Sequence, residues 1–137
     1  MSPTIVLRPG DPAPWFKAAS GSNPNYSFDT VAGRYVLMAF MGSSQTPGAA
    51  QVLETVRTNR ALFDDDRICF FGVTADPRDR EAPACQNQVP GIRFFYDFDL
   101  KVARLYGAAD GEMAAGGVHY RASWLLLDPM LRVIAAI

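Results

Sequence analysis

The chain has 137 residues, room for one domain around one core, and 49% of them are hydrophobic, an ordinary share for a globular protein. Thirteen Lys and Arg against fourteen Asp and Glu leave a formal charge of −1, which gives no electrostatic reason to expect nucleic acid or an anionic membrane surface as partner. Two cysteines, Cys69 and Cys85, one histidine, His119, and no Cys-x-x-Cys exclude a disulfide scaffold and a recognisable zinc site.

The first eight residues offer neither a basic nor an apolar leader, and no apolar run approaches the roughly 20 residues of a membrane span. A cytoplasmic location is the expectation, with no membrane partner and no cofactor. Arg8 to Phe16 is rich in Pro and Gly and should run extended and irregular, and residues 17–27 read as polar and turn-prone. From Tyr35 a continuous apolar run, Tyr-Val-Leu-Met-Ala-Phe-Met, suits a central strand buried on both faces.

Gly42-Ser-Ser-Gln follows, then Thr46-Pro47, a helix start in which Thr caps an orphan amide and Pro takes the first helical position. Ala49, Val52, Leu53, Val56, Leu62 and Phe63 lie mostly at helical intervals behind it, and Asp64–Asp66 closes that helix. Arg67 to Ala75 is a second buried strand. A short helix is expected after Asp76-Pro77 and a turn at Pro90-Gly91. Ile92–Tyr96 makes a third strand, and then comes a helix capped by Asp97 or Asp99 and stopped by Gly107. Residues 108–118, rich in Gly and Ala, read as a flexible insertion, with His119 in a surface loop. Trp124–Leu127 and Val133–Ile137 form a closing hairpin.

Strands and helices alternating and then ending in a hairpin give an α/β chain with a mixed central sheet flanked by helices, the layout of a thioredoxin-like fold. That fold normally closes with a helix over the sheet. Here the sequence stops at a strand, so residues 1–137 read as a single domain, part of a longer polypeptide or covered by another subunit.

Five motifs then line up in order. Gly10 to Phe16 (Gly-Asp-Pro-Ala-Pro-Trp-Phe), the strand approach Thr30 to Phe40, Val73 to Asp76, Ala103 to Gly107 (Ala-Arg-Leu-Tyr-Gly) and Tyr120 to Asp128 together resemble the peroxiredoxins of the AhpC/TSA family. That family's site reads Pro-x-x-x-Thr-x-x-Cys plus a distant Arg. The resemblance sets Thr46 and Arg121 on the family's positions, Gly42 where it has proline and Ala49 where it has the peroxidatic cysteine. It implies a thiol-dependent peroxidase activity, a thiol reductant as partner and a dimer.

Third in its helix, position 49 lies where a thiol would feel the helix's positive end and free amides, and Arg121 would add to the pull toward thiolate. Such a thiolate attacks one peroxide oxygen, becomes the sulfenic acid and expels the other oxygen as alkoxide or hydroxide. Alanine has no lone pair for that attack. What remains around it, Thr46, Pro47, the amides of Gly48 and Ala49, and Arg121, forms either a small anion-friendly pocket or an ordinary capped helix. Cys85, nine positions after Asp76, resembles the resolving cysteine of the thiol peroxidase branch, and Cys69 reads as an inert core residue. The sequence therefore points first to a degenerate peroxiredoxin-like binding or regulatory module, for instance fused to an enzyme domain. The alternative is a weak thiol oxidoreductase working through Cys85. A cysteine engineered away at position 49 would leave the departure at Gly42 unexplained.

Overall fold

The computed structural model describes residues 7–21, 23–82, 91–110 and 119–136. In chain order these form β1 (Lys17–Ser20), β2 (Asn23–Ser27), β3 (Tyr35–Gly42), α1 (Pro47–Thr58), β4 (Ile68–Thr74) and β5 (Ile92–Tyr96). They continue with α2 (Lys101–Leu105), β6 (Ala109–Asp110), β7 (His119–Tyr120), β8 (Ser123–Leu127) and β9 (Val133–Ala136). Short 3-10 turns occupy Phe28–Val31, Arg60–Leu62 and Pro77–Arg80.

Seven strands make one mixed sheet in the order β2-β1-β5-β4-β3-β8-β9. The centre is parallel, β3 on β4 and β4 on β5, while β8, β9, β1 and β2 join antiparallel. This is the mixed thioredoxin-like sheet expected from the element order. The apolar runs sit at its centre because both faces there are covered.

Alternation along β3 divides the core. Val36, Met38 and Phe40 enter one cluster with Phe71, Val73, Phe95, Leu125 and Leu127, and Ala39 and Met41 enter a second with Ala49 and Val56 of α1. The first cluster is aromatic: Phe71 stacks on Phe95 with ring centroids 4.9 Å apart, and Phe16 stacks on Phe28 at 4.7 Å. Such pairs contribute about 0.5–1.5 kcal/mol beyond their buried area. In the second, Gly72 lies against the Phe94 ring, where any Cβ would come within 2.5 Å of a ring carbon. Leu37, Trp124 and Leu126 remain half-buried on this α1 side.

The segment before β1 is irregular, as its prolines dictate, yet it is anchored. Gly10 and Ala13 donate backbone hydrogen bonds to Val133 and Leu131 carbonyls at 2.8 Å, and Tyr106 Oη donates to Pro14 O at 2.6 Å.

Three expectations need correction. Residues 17–27 form the β1–β2 hairpin rather than a loop, because Tyr26 packs edge-on against Phe71 and Phe95, a tertiary contact that polar composition concealed. The helix from Thr46 ends at Thr58, not at the acidic run; Leu62 is 59% exposed, and Asp64 instead caps the turn into β4 by accepting from the amides of Asp66 and Arg67. Asp76-Pro77 opens the 3-10 helix Pro77–Arg80, the short helix expected there. His119 belongs to the two-stranded β6–β7 ladder, opposite Asp110, so the ends of the insertion are paired. Both Asp97 and Asp99 cap the first turn of α2: the two Asp97 carboxylate oxygens accept from Val102 and Ala103 amides and Asp99 Oδ1 from Lys101 N at 3.1 Å, and desolvation holds the Asp97 pKa above the ordinary carboxylate value.

Candidate functional site

Where β3 gives way to α1, the chain turns through Gly42-Ser43-Ser44-Gln45. Gly42 has φ +74°, a conformation that favours glycine, and its carbonyl accepts from Ala75 N at 2.8 Å. A Cβ there would stand 3.3 Å from the Tyr120 ring. Thr46 is the N-cap of α1: its Oγ1 accepts from Ala49 N at 3.2 Å and donates to Ser43 O at 3.0 Å. Pro47 occupies the first helical position and is exposed, whereas Ala49 is buried. The helix start read from Thr46-Pro47 is thus the one the chain adopts.

Beside this turn lies an open cavity of about 430 Å³. Gly48, Ala49 and Val52 of α1 form one wall, Phe40 and Met41 the floor, and Ala122 to Trp124 the other wall. Gln51, Thr55 and Ser123 add its polar groups. Arg121 directly precedes the second wall. It is exposed, and its Nη2 donates to Gly107 O at 2.8 Å, while its backbone N–H goes to Ala108 O at 2.7 Å. The structure therefore sets Ala49 in the cavity wall, keeps Gly42, Thr46 and Pro47 in the turn and helix start that precede it, and ties Arg121 to Gly107 and Ala108 after α2.

Cys85 lies outside the described residues. Cys69 is buried in β4, and burial pushes its thiol up to about 11, far from a reactive thiolate. Among the described residues no cluster of three His, Cys, Asp or Glu could hold a metal ion, and no helix is long and apolar enough to cross a membrane.

One part of the site escaped the sequence. Two carboxylates from the segment after β4 hold the β3–α1 turn from below. Asp76 accepts from Ser43 Oγ at 2.6 Å and pairs with Arg78 at 2.7 Å, and the Arg78 guanidinium, with Ser43, holds its carboxyl far below the usual range. Asp79 is fully buried and accepts from Ser44 N at 2.8 Å, from Ser44 Oγ and from Thr74 Oγ1. The signal available was Ser43-Ser44 beside Asp76-x-x-Asp79, which local pattern reading treats as turn chemistry.

A mixed sheet of this order, with a capped helix leaving its central strand above a cavity walled by the antiparallel strand β8, defines a peroxiredoxin-type thioredoxin fold. Solved structures share it. A yeast mitochondrial 1-Cys peroxiredoxin, studied for thiol resolution through glutathione and thioredoxin systems, superposes with a TM-score of 0.77 at 17% identity, over 96% of this chain and 67% of that one. A mutant of Xanthomonas campestris peroxiredoxin Q gives 0.69 at 22% identity over 98% and 87%, and the thiol peroxidase from Chromobacterium violaceum 0.73 at 18% over 97% and 77%. No curated protein matches the sequence. The profile of the AhpC/TSA family matches residues 9–134, and the chain belongs to that family.

Proposed function

We propose that this AhpC/TSA-family domain carries alanine at the peroxidatic position and serves as a binding or regulatory module rather than a peroxidase. The observation that carries the reading is Ala49 itself: third in α1, buried, its amide held by the Thr46 cap, with a methyl group where the chemistry needs a thiolate. Gly42 supports it from the other end of the turn, since its left-handed backbone is closed to the proline of the family motif. The cavity beside Ala49 is the surface such a module offers, and its partner is a protein acting beside it or an enzyme domain fused to it, in the cytoplasm.

Peroxide consumption with thioredoxin or dithiothreitol as reductant tests the reading. No turnover above the buffer rate is expected, and turnover comparable to an ordinary peroxiredoxin overturns it. A second reading rests on the thiol count. With Cys69 buried, Cys85 is the remaining candidate for a weak thiol-dependent peroxidase reduced by a glutathione or thioredoxin system. Slow turnover that disappears in Cys85→Ser favours this second reading, and turnover that survives the change rejects it.

A further inference from the structure

The start of α1 already has an anion beneath it, and that anion belongs to the protein. Asp79 Oδ2 accepts from Ser44 N at 2.8 Å. The same peptide group presents Ser43 O, which accepts from Thr46 Oγ1 at 3.0 Å, and Thr46 Oγ1 accepts from Ala49 N at 3.2 Å. All three donors point one way. They form a continuous relay from the amide of residue 49, through the cap hydroxyl and one peptide, to a buried carboxylate. Each hydrogen bond in such a chain polarises the next, so the Ala49 amide is drawn toward Thr46 and Asp79 and away from anything at its own Cβ.

The charge balance of the turn points the same way. Asp79 receives donors on both oxygens, the role of a carboxylate, and none of the ion pairs among the described residues includes it. Asp76 pairs with Arg78, whose guanidinium also feels the Asp79 carboxylate, and Arg121 Nη2 donates to Gly107 O. Beneath the start of α1, two carboxylates, Asp76 and Asp79, thus face one guanidinium, Arg78.

We propose that Asp79 is a positioning residue that fixes the β3–α1 turn and offsets the positive end of α1, so that position 49 no longer favours an anion. The proposal rests on the reading of position 49 given above. On this view restoring a cysteine does not by itself restore a reactive thiolate. A unit charge acting over on the order of 10 Å at an effective dielectric of about 20 shifts a thiol by about one pKa unit.

The test uses the full chain carrying Ala49→Cys and Cys85→Ser, with the thiol titrated by its thiolate absorbance. Adding Asp79→Asn is expected to lower the thiol pKa by about one unit, and Asp79→Ser to do the same. Ser44→Ala, which removes a hydroxyl but keeps the carboxylate, is expected to leave it nearly unmoved. An unchanged or raised pKa in the neutral variants overturns the proposal. In the unaltered chain, Ser44 and Ala49 amides are expected to exchange with solvent at least about tenfold more slowly than the exposed Gly48 amide, and equal rates would also overturn it. Peroxide reactivity of the Ala49→Cys chain separates the two claims. Fast reaction with a pKa indifferent to Asp79 sinks the relay alone, whereas a pKa that follows Asp79 without any peroxide reaction sinks the reading of position 49.

Discussion

Gly42 offers a direct test of how the site is built. Its φ of +74° lies in the left-handed region, where an L-residue costs about 1–2 kcal/mol. The new Cβ of Gly42→Ala would also meet the Tyr120 ring at 3.3 Å, a contact that a shift of a few tenths of an ångström relieves. Gly42→Ala is therefore expected to destabilise the protein by about 1–2 kcal/mol, chiefly through the backbone. Gly42→Pro, which rebuilds the family motif, locks φ near −65° and cannot reach the native conformation, so its cost is expected to exceed about 3 kcal/mol. Urea unfolding followed by near-ultraviolet circular dichroism reads both, with an unchanged m-value showing that the midpoint shift reports native stability. A loss below about 0.5 kcal/mol for the alanine variant, or a proline variant as stable as the parent, would refute the argument that this turn requires glycine.

Three further outcomes are expected. Thr46→Ala should cost about 1 kcal/mol by freeing the Ala49 amide, and Thr46→Ser should recover most of it, both read from urea midpoints. Backbone amides of Arg67 and Asp66, with the Arg67 side chain, lower the Asp64 pKa to about 2, so its stabilising contribution is present above the ordinary carboxylate value and is lost as pH falls through 2. Asp64→Asn should accordingly flatten the decline of the urea midpoint between pH 5 and pH 2, and an unaltered slope would reject that assignment. In a Cys85→Ser chain the remaining thiol, Cys69, should resist a thiol reagent in native buffer and react fully in denaturant. Rapid labelling of the native protein would contradict its buried, raised-pKa state.

The parts legible in the sequence were those fixed by local rules. Apolar runs located β3, β4 and β5 to within a residue at each end, because central strands covered on both faces read as unbroken hydrophobic stretches. Thr46-Pro47 gave the start of α1, and Gly107, at φ +77°, the stop after α2. The hairpin β1–β2 was hidden because its stabilising contacts, Tyr26 on Phe71 and Phe95 and the pairing of Ala19 with Tyr96, are with strands distant in sequence. Asp79 was hidden for a similar reason. Its partners, Ser44 and Thr74, lie 35 and 5 residues away, and only the parallel pairing of β3 with β4 brings both to one carboxylate.

The anchoring of the N-terminal segment bears on the order in which the chain can fold. Residues 10–13 bond to Leu131, Arg132 and Val133, and Tyr106 reaches Pro14 across 92 residues of sequence. Contacts of such range close the largest loops in the protein and are made after the local ones. During synthesis Phe16 and Phe28 emerge before Phe71, Phe95 and Tyr106 exist to cover them, so the nascent chain carries an exposed aromatic pair until those residues follow. Residues 10–13 pair with Arg132 and Val133 at the outer edge of β9, so their docking is the step that covers the start of that free strand edge.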